Sequence, residues 1–265
     1  MTHSASSGTV PSARPDNDPE ASADEPVDVS HVIVPLDGSP FSERALPVAD
    51  WIAAQLGADV HLVEVVPTDG EGERTEGVIR YLDDVARRHH AAAWDVVRGD
   101  DVAQAIADAA SSSPRRLVCM ATHGRDRTAG PLGSVAAALL GRSERPVVLV
   151  GPRARPSTGA DAPVVAAVDR TGRDEALVPV ASSWATRLAR RLEIVTIAQP
   201  LDLADVAALV VLEVRSPEGA AGWGPGSHAA HIVHDAPVPA LAVPLAASSR
   251  AAADQATPPR PAPTT

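Results

Sequence analysis

Lysine is absent from this chain; all 23 of its basic residues are arginines. That absence excludes a Walker-type phosphate loop and a Schiff-base mechanism, each of which depends on a lysine amine. There is one cysteine, Cys119, so neither an internal disulfide nor a four-thiolate metal site can be built. Cys119 sits in an apolar run and reads as a small buried hydrophobe. Aromatic residues make up 2% of the chain, so its cores must be assembled from Val, Leu, Ile and Ala. Positive charge is outweighed, with a net formal charge of −11. A general nucleic-acid partner is excluded, because phosphate backbones demand clustered cations. The longest apolar run, near Ala207–Leu212, falls far short of the ~20 residues of a bilayer span. The N-terminus shows no apolar segment behind a basic one, hence no signal peptide. These absences point to a cytoplasmic, reducing setting without a membrane partner.

What is present is enough apolar residue, 45% of 265, to support two domains of ordinary size. Residues 1–29 carry six acids against the single base Arg14 and lack apolar periodicity. Such a segment cannot offset its ordering entropy and is expected to be a disordered tail. The Ala/Pro/Ser/Thr-rich stretch from 247 to 265 is expected to be a second loose tail, and residues 153–162 a linker.

Between the tails the chain repeats itself. VIVPLDGSPFSERALPVADW around Asp37 aligns without a gap on VVAAVDRTGRDEALVPVASSW around Asp169, at an offset of 132 residues. Further along, GPLGSVAAALL answers WGPGSHAAHIV, and Gly133-Ser134 falls on Gly226-Ser227 at an offset of 93. The second copy is therefore 39 residues shorter between its first strand and its Gly-Ser, the length of one helix and one short strand. Internal repetition outranks local motifs as evidence of architecture. It implies two related domains, 30–152 complete and 163–246 shortened.

Strand and helix signals alternate in both units. In the first, strands are expected at Val32–Leu36, Val60–Val66, Trp94–Val97, Leu117–Ala121 and Val147–Val150. Helices are expected from a Ser39 cap to about Leu56, then at Val78–His90, Asp101–Ser111 and Ser134–Leu140. The second unit has strands at Val164–Val168, Leu192–Ala198, Val210–Val214 and Ala240–Val243. Its helices run to about Arg190, over Ala204–Leu209, and from the second Gly-Ser. This alternation predicts α/β architecture with open parallel sheets covered on both faces. Ligands of such sheets bind at the carboxyl ends of the strands, where Asp37, Val65 and the Met120–Gly124 loop lie.

The stretch LVCMATHGRDRTAGPLGSVAAALLGRSERPVVLVGP, from Leu117 to Pro152, carries the chemistry. A Gly-Ser opening a helix offers unpaired N–H groups, a hydroxyl and the positive end of a helix dipole, which together suit an anion such as phosphate. Here the sequence resembles the universal stress protein family, whose nucleotide loop runs Gly-x2-Gly-x9-Gly-Ser/Thr. Two departures stand out. Ala121 replaces the first glycine, and eight residues rather than nine separate Gly124 from Gly133.

The resemblance implies a tandem of two Rossmann-like, adenine nucleotide alpha hydrolase-like domains. It also implies an adenine nucleotide, ATP foremost and with or without Mg²⁺, bound in the first. By the same resemblance the adenine and ribose would meet Pro35, Asp37 and Val65, the last through its backbone. Met120, Ala121 and Gly124 would form the loop, and Gly133, Ser134, Val135 and Ala136 the phosphate end. Asp37 taken alone is equally ordinary turn chemistry, and Gly124 can simply supply a positive φ. The second unit retains Asp169 and Gly226-Ser227 but has lost its loop, so a degenerate, empty site is expected there. His228, His231 and His234 recur at three-residue spacing, yet successive steps drift around a helix, and a surface or packing role is expected rather than a metal face.

Three functions compete on this reading. One is a nucleotide-binding regulatory protein without metabolic turnover, since no nucleophile is paired with a base. Another is a decayed site acting only through protein contacts with an unknown partner. The third, an ATP-using enzyme with a Ser-Gly-Gly-x-Asp-Ser loop, is opposed by PLDGSPFSE. The closing strands, Arg145–Val150 and Val238–Val243, are almost wholly apolar and unguarded as edges. The two units are expected to dock there within one chain as a pseudo-dimer.

Overall fold

The computed structural model describes residues 28–69, 72–125, 132–157, 159, 161–168, 177–196, 207–214 and 228–244. Nearly all of both expected tails, Asp169, the second Gly-Ser and residues 204–206 of the helix expected over Ala204–Leu209 lie outside the described residues.

The chain opens with β1 (His31–Leu36), whose HVIVPL run is buried from its second residue onward, as befits a strand covered on both faces. It does not pass directly into the single capped helix expected after Ser39. A 3₁₀ turn at Ser42–Ala45 comes first, and α1 covers Leu46–Leu56 with Pro47 in its first turn. The Ser39 hydroxyl accepts from the Ser42 amide at 3.2 Å just ahead of the 3₁₀ turn, whose N-cap position is Phe41 with no side-chain cap bond. Gly57, left-handed at φ 67°, ends α1.

After β2 (Asp59–Val66) comes α2 (Gly72–His89), which starts six residues before the expected Val78 because its first turn is polar. Next are β3 (Ala93–Arg98) and α3 (Val102–Ser111). Asp101 is the cap of α3 rather than its first residue, and its carboxylate accepts from the Gln104 amide. β4 (Arg116–Ala121), α4 (Ser134–Arg142) and β5 (Val147–Val150) complete the first half. The second half comprises β6 (Val164–Val168), α5 (Leu177–Arg187), β7 (Leu192–Thr196), β8 (Leu209–Val214), α6 (His228–Asp235) and β9 (Ala240–Pro244). Leu209, expected to end a helix, is the first residue of β8. α5 stops at Arg187, short of Arg190.

The nine strands among the described residues form one sheet in the order β3-β2-β1-β4-β5-β9-β8-β6-β7. Every neighbouring pair is parallel except β5 and β9, which run antiparallel with Val147 opposite Ala242, Val148 opposite Leu241 and Leu149 opposite Ala240. Outward from that joint the order is mirrored. β4, β1 and β2 on one side correspond to β8, β6 and β7 on the other, and β3 has no counterpart among the described strands. The architecture is thus α/β with an open sheet, its two repeat units being halves of a single sheet.

Aliphatic side chains pack on both faces, and neither core stops at the joint. One gathers residues of α1, α2 and α5 over Val148, Val150, Leu241 and Val243. The opposite one gathers α3, α4 and α6 over Val147, Leu149, Ala240 and Ala242. Cys119 lies fully buried in the first of these cores, where desolvation pushes its thiol far up from its ordinary value.

Polar bonds also cross between the halves. The Arg187 guanidinium donates to the Leu56 carbonyl at the end of α1 at 2.7 Å, and the Arg155 amide donates to the Pro237 carbonyl at 2.9 Å. Within the expected linker, Ala154 is buried at 1% exposure, while Arg153, Arg155, Gly159 and Asp161 are exposed. His234 and Asp235 pair with each other at 2.9 Å, and among the described residues no group of His, Cys, Asp and Glu could hold a metal. No helix among them is long and apolar enough to cross a membrane.

Gly151, directly after β5, has room for no side chain: a Cβ there would overlap the Val233 carbonyl of α6. Gly151→Ala is therefore expected to destabilise the whole sheet by about 1–3 kcal/mol through forced backbone displacement. Thermal unfolding of the full chain checks this as a lowered, still single, transition.

Candidate functional site

The carboxyl ends of β1 and β4 diverge around a cleft of about 640 Å³, part of it open to solvent. β1 supplies Pro35 and Leu36 to its wall, followed by Asp37. β4 supplies Met120 and Ala121, and the loop after it supplies Thr122, His123, Gly124 and Arg125. The start of α4 supplies Gly133, Ser134, Val135 and Ala136, and α3 closes the apolar side with Val102 and Ile106. Nine of the ten residues singled out from sequence thus meet around one space. Val65 does not line it; its side chain packs with the core on the α3 face.

Local geometry explains the convergence. The Thr122 amide donates to the Val150 carbonyl at 3.0 Å, extending the β4–β5 pairing by one bond. The Gly133 amide then donates back to the Thr122 carbonyl at 2.7 Å, so the loop's two ends are tied together beside β4. Gly133 is the extended residue before α4, no side chain caps that helix, and the first helical bond is Ala137 N–H to the Gly133 carbonyl. The amides of Ser134, Val135 and Ala136 come before that first bond. They therefore present donors and a positive dipole end to the cleft.

Asp37 holds the opposite wall. Its carboxylate accepts from the Ser39 amide at 3.0 Å through Oδ1 and from the Arg125 amide at 2.6 Å through Oδ2. The Arg125 guanidinium donates to the Asp37 carbonyl. Burial pushes the Asp37 carboxyl up, but hydrogen bonds from Ser39, Arg125 and Ser42 outweigh it and hold the group below its ordinary value. Gly124 allows this approach, since a Cβ there would run into the Asp37 carboxylate. Asp37 is therefore both a cleft residue and the pin that holds the β4–α4 loop against β1.

Sequence reasoning missed Arg125 and Glu64. Arg125 was hidden by its neighbours in a polar loop and became visible only when the loop closed on Asp37. Glu64 left a trace, a lone acid in the apolar run HLVEVV. It stands opposite Leu36 in the β1–β2 register. The residue is 8% exposed, and its Oε2 has no hydrogen-bond partner. Desolvation, then the nearby Asp37 charge, push its carboxyl up to about 7, against weaker opposing pulls from Arg125 and Arg74.

Because its folded value lies above the ordinary one of 4.5, Glu64 favours folding only while protonated. Its penalty grows as pH rises from the unfolded value to about 7 and levels off above. Glu64→Gln is expected to match the parent in melting temperature near pH 5 and to exceed it near pH 8. Paired thermal melts across that range test the sign.

Comparison with known proteins bears on both fold and family. Residues 29–151 match the model of the Universal stress protein family. Among solved structures, the chain resembles a universal stress protein from Archaeoglobus fulgidus DSM 4304 at 15% identity and a TM-score of 0.60. That match covers 81% of this chain and 98% of the other. A functionally unknown protein from Pseudomonas aeruginosa PAO1 gives 15% identity and a TM-score of 0.58, over 86% and 96%. A universal stress protein solved in complex with cAMP gives 24% identity and a TM-score of 0.38, over 46% and 97%. Comparison with curated proteins returned no match. The first two matches cover more of the chain than residues 29–151 supply, so the likeness of fold runs into the second half. Residues 29–151 therefore form a domain of the universal stress protein family.

Proposed function

We propose that the chain is a regulatory binding protein that takes an adenine nucleotide, ATP foremost, in the cleft between β1 and β4. One observation carries this reading: the helix start at Gly133–Ser134, which no side chain caps, faces the same space as Asp37. The helix start suits phosphate oxygens, and the apolar wall of Pro35, Met120, Val102 and Ile106 suits a flat base. Ala121, buried at the end of β4, narrows the path without closing it. Mg²⁺, if carried, would travel on the phosphates, which supply its oxygen ligands. The site's residues would orient the nucleotide and exclude water from its base.

A second reading, a decayed site acting only through protein contacts, draws on one specific observation. Both Asp37 carboxylate oxygens already accept hydrogen bonds from the chain itself. Mass spectrometry of nucleotide released from protein purified without added ligand separates the two readings. Adenine nucleotide at a substantial fraction of one equivalent is expected; none, together with no titratable binding of ATP, supports the second. Asp37→Ala and a double change at Gly133 and Ser134 should each abolish binding, while Asp169→Ala should leave it unchanged. Ala121→Gly should hold affinity constant or raise it. Isothermal titration with ATP reads all four.

In the same reading the second half serves as a built-in partner, a pseudo-dimer within one chain in a cytoplasmic setting. The antiparallel β5–β9 pairing supports this, since it covers two strands that would otherwise be bare apolar edges. Residues 30–155 made alone should dimerise or aggregate in light scattering, beside a monomeric full chain. A soluble, folded monomer from the fragment would count against the partner role.

A further inference from the structure

We propose that Arg125 latches the ligand-free cleft through Asp37, and that a ligand reaches the Asp37 carboxylate by displacing Arg125 with hydrogen-bond donors of its own. The inference rests on the binding reading above and adds to it how the site opens and which chemistry opens it. Arg125 is thereby a positioning and specificity residue. It selects ligands that carry N–H or O–H groups over bare anions.

The contacts are direct. The Arg125 amide donates to Asp37 Oδ2 at 2.6 Å, and the Arg125 guanidinium donates to the Asp37 carbonyl. A short bond to an ionised carboxylate is stronger than an ordinary amide–carbonyl bond. Two glycines are fitted to this arrangement. A Cβ on Gly124 would overlap Asp37 Oδ2, and a Cβ on Gly38, whose φ is 76°, would stand 3.1 Å from the Arg125 guanidinium. A side chain at either position would press on one of the two bonds.

Donors of Ser39, Ser42 and Arg125 already surround the Asp37 carboxylate, which offers about four acceptor positions. Ser39 and Ser42 belong to the turn that follows β1, and their mutual bonds at 3.2 and 2.9 Å hold that turn together. Arg125 comes from the loop after β4, on the other side of the cleft. Its bonds therefore break without unfolding the turn. An incoming group makes good that loss only if it donates hydrogen bonds, because an ionised carboxylate is acceptor-only. Bare phosphate oxygens meet like charge at Asp37 and are held instead at the Gly133–Ser134 helix start.

Amide NMR on the full chain reads the latch without ligand. In the parent, the Arg125 amide proton should resonate downfield and exchange about tenfold more slowly than in Asp37→Ala, the weight of one hydrogen bond. Gly124→Ala keeps the carboxylate but drives it from the loop, and should speed exchange in the same way. An Arg125 amide that exchanges alike in all three proteins overturns the latch.

Saturating ATP should then move the Arg125 amide to the fast-exchanging, unshifted limit although the cleft is filled, whereas tripolyphosphate should leave it slow. Arg125→Ala, which loses the guanidinium bond, should associate with ATP about threefold faster in stopped flow. Slower association would make Arg125 a cation for the ligand and overturn the latch. Protection that persists or deepens in the ATP complex overturns the displacement while nucleotide binding stands, and opening by tripolyphosphate overturns the need for donors. Should ATP not bind, the binding reading fails, and exchange in the three ligand-free proteins judges the latch by itself.

Discussion

The antiparallel meeting of β5 and β9 is the constraint on which the rest of this molecule depends. Parallel strands need cover on both faces and leave an unprotected edge wherever the sheet stops. β5 and β9 end their respective halves and consist of Val, Leu and Ala with no guarding charge. Pairing them converts two edges into the centre of one sheet. The aliphatic cores on both faces then run through the joint, and the chain gains continuity that a composition with 2% aromatics must draw from many small contacts. Gly151 marks how closely the halves approach, since only a residue without a side chain leaves space for the Val233 carbonyl.

The cleft inherits its shape from that frame. β1 and β4 are neighbours, β4 is fixed by β5, and the Thr122 amide continues the β4–β5 ladder before the chain turns away. From there the loop is bound twice, by Gly133 to Thr122 and by Asp37 to Arg125. An acid placed where a ligand could use it is thus also a structural pin. The consequence is coupling: a molecule that engages Asp37 competes with the loop that forms its own wall.

The two halves correspond strand by strand outward from the joint. Strand order outward from the joint is mirrored up to β2 and β7, and only β3 lacks an opposite number. The shorter spacing of the second half goes with the lack of a β3 counterpart among the described strands, in the layer farthest from the joint. A difference at the periphery leaves the central pairing untouched.

Much of this was legible in the residues. Apolar runs marked β1, β4, β5, β6, β8 and β9 within a residue or two, because strands buried on both faces have no polar alternation to confuse them. The order Asp37, Gly124, Gly133-Ser134 brought together nearly all of the cleft. Helix starts were less legible. α2 begins in a polar turn that carries no apolar period, and the 3₁₀ turn before α1 has no side-chain cap to mark it. What sequence alone determined was the set of segments and the chemistry each could offer, since burial pattern and turn chemistry are local. Only the tertiary structure decided that the halves share one sheet, that Val65 turns into the core, that Arg125 closes on Asp37, and that Glu64 is enclosed without a partner. Each of those depends on which strands become neighbours and in what register, and that is a property of the assembled sheet rather than of any stretch of chain.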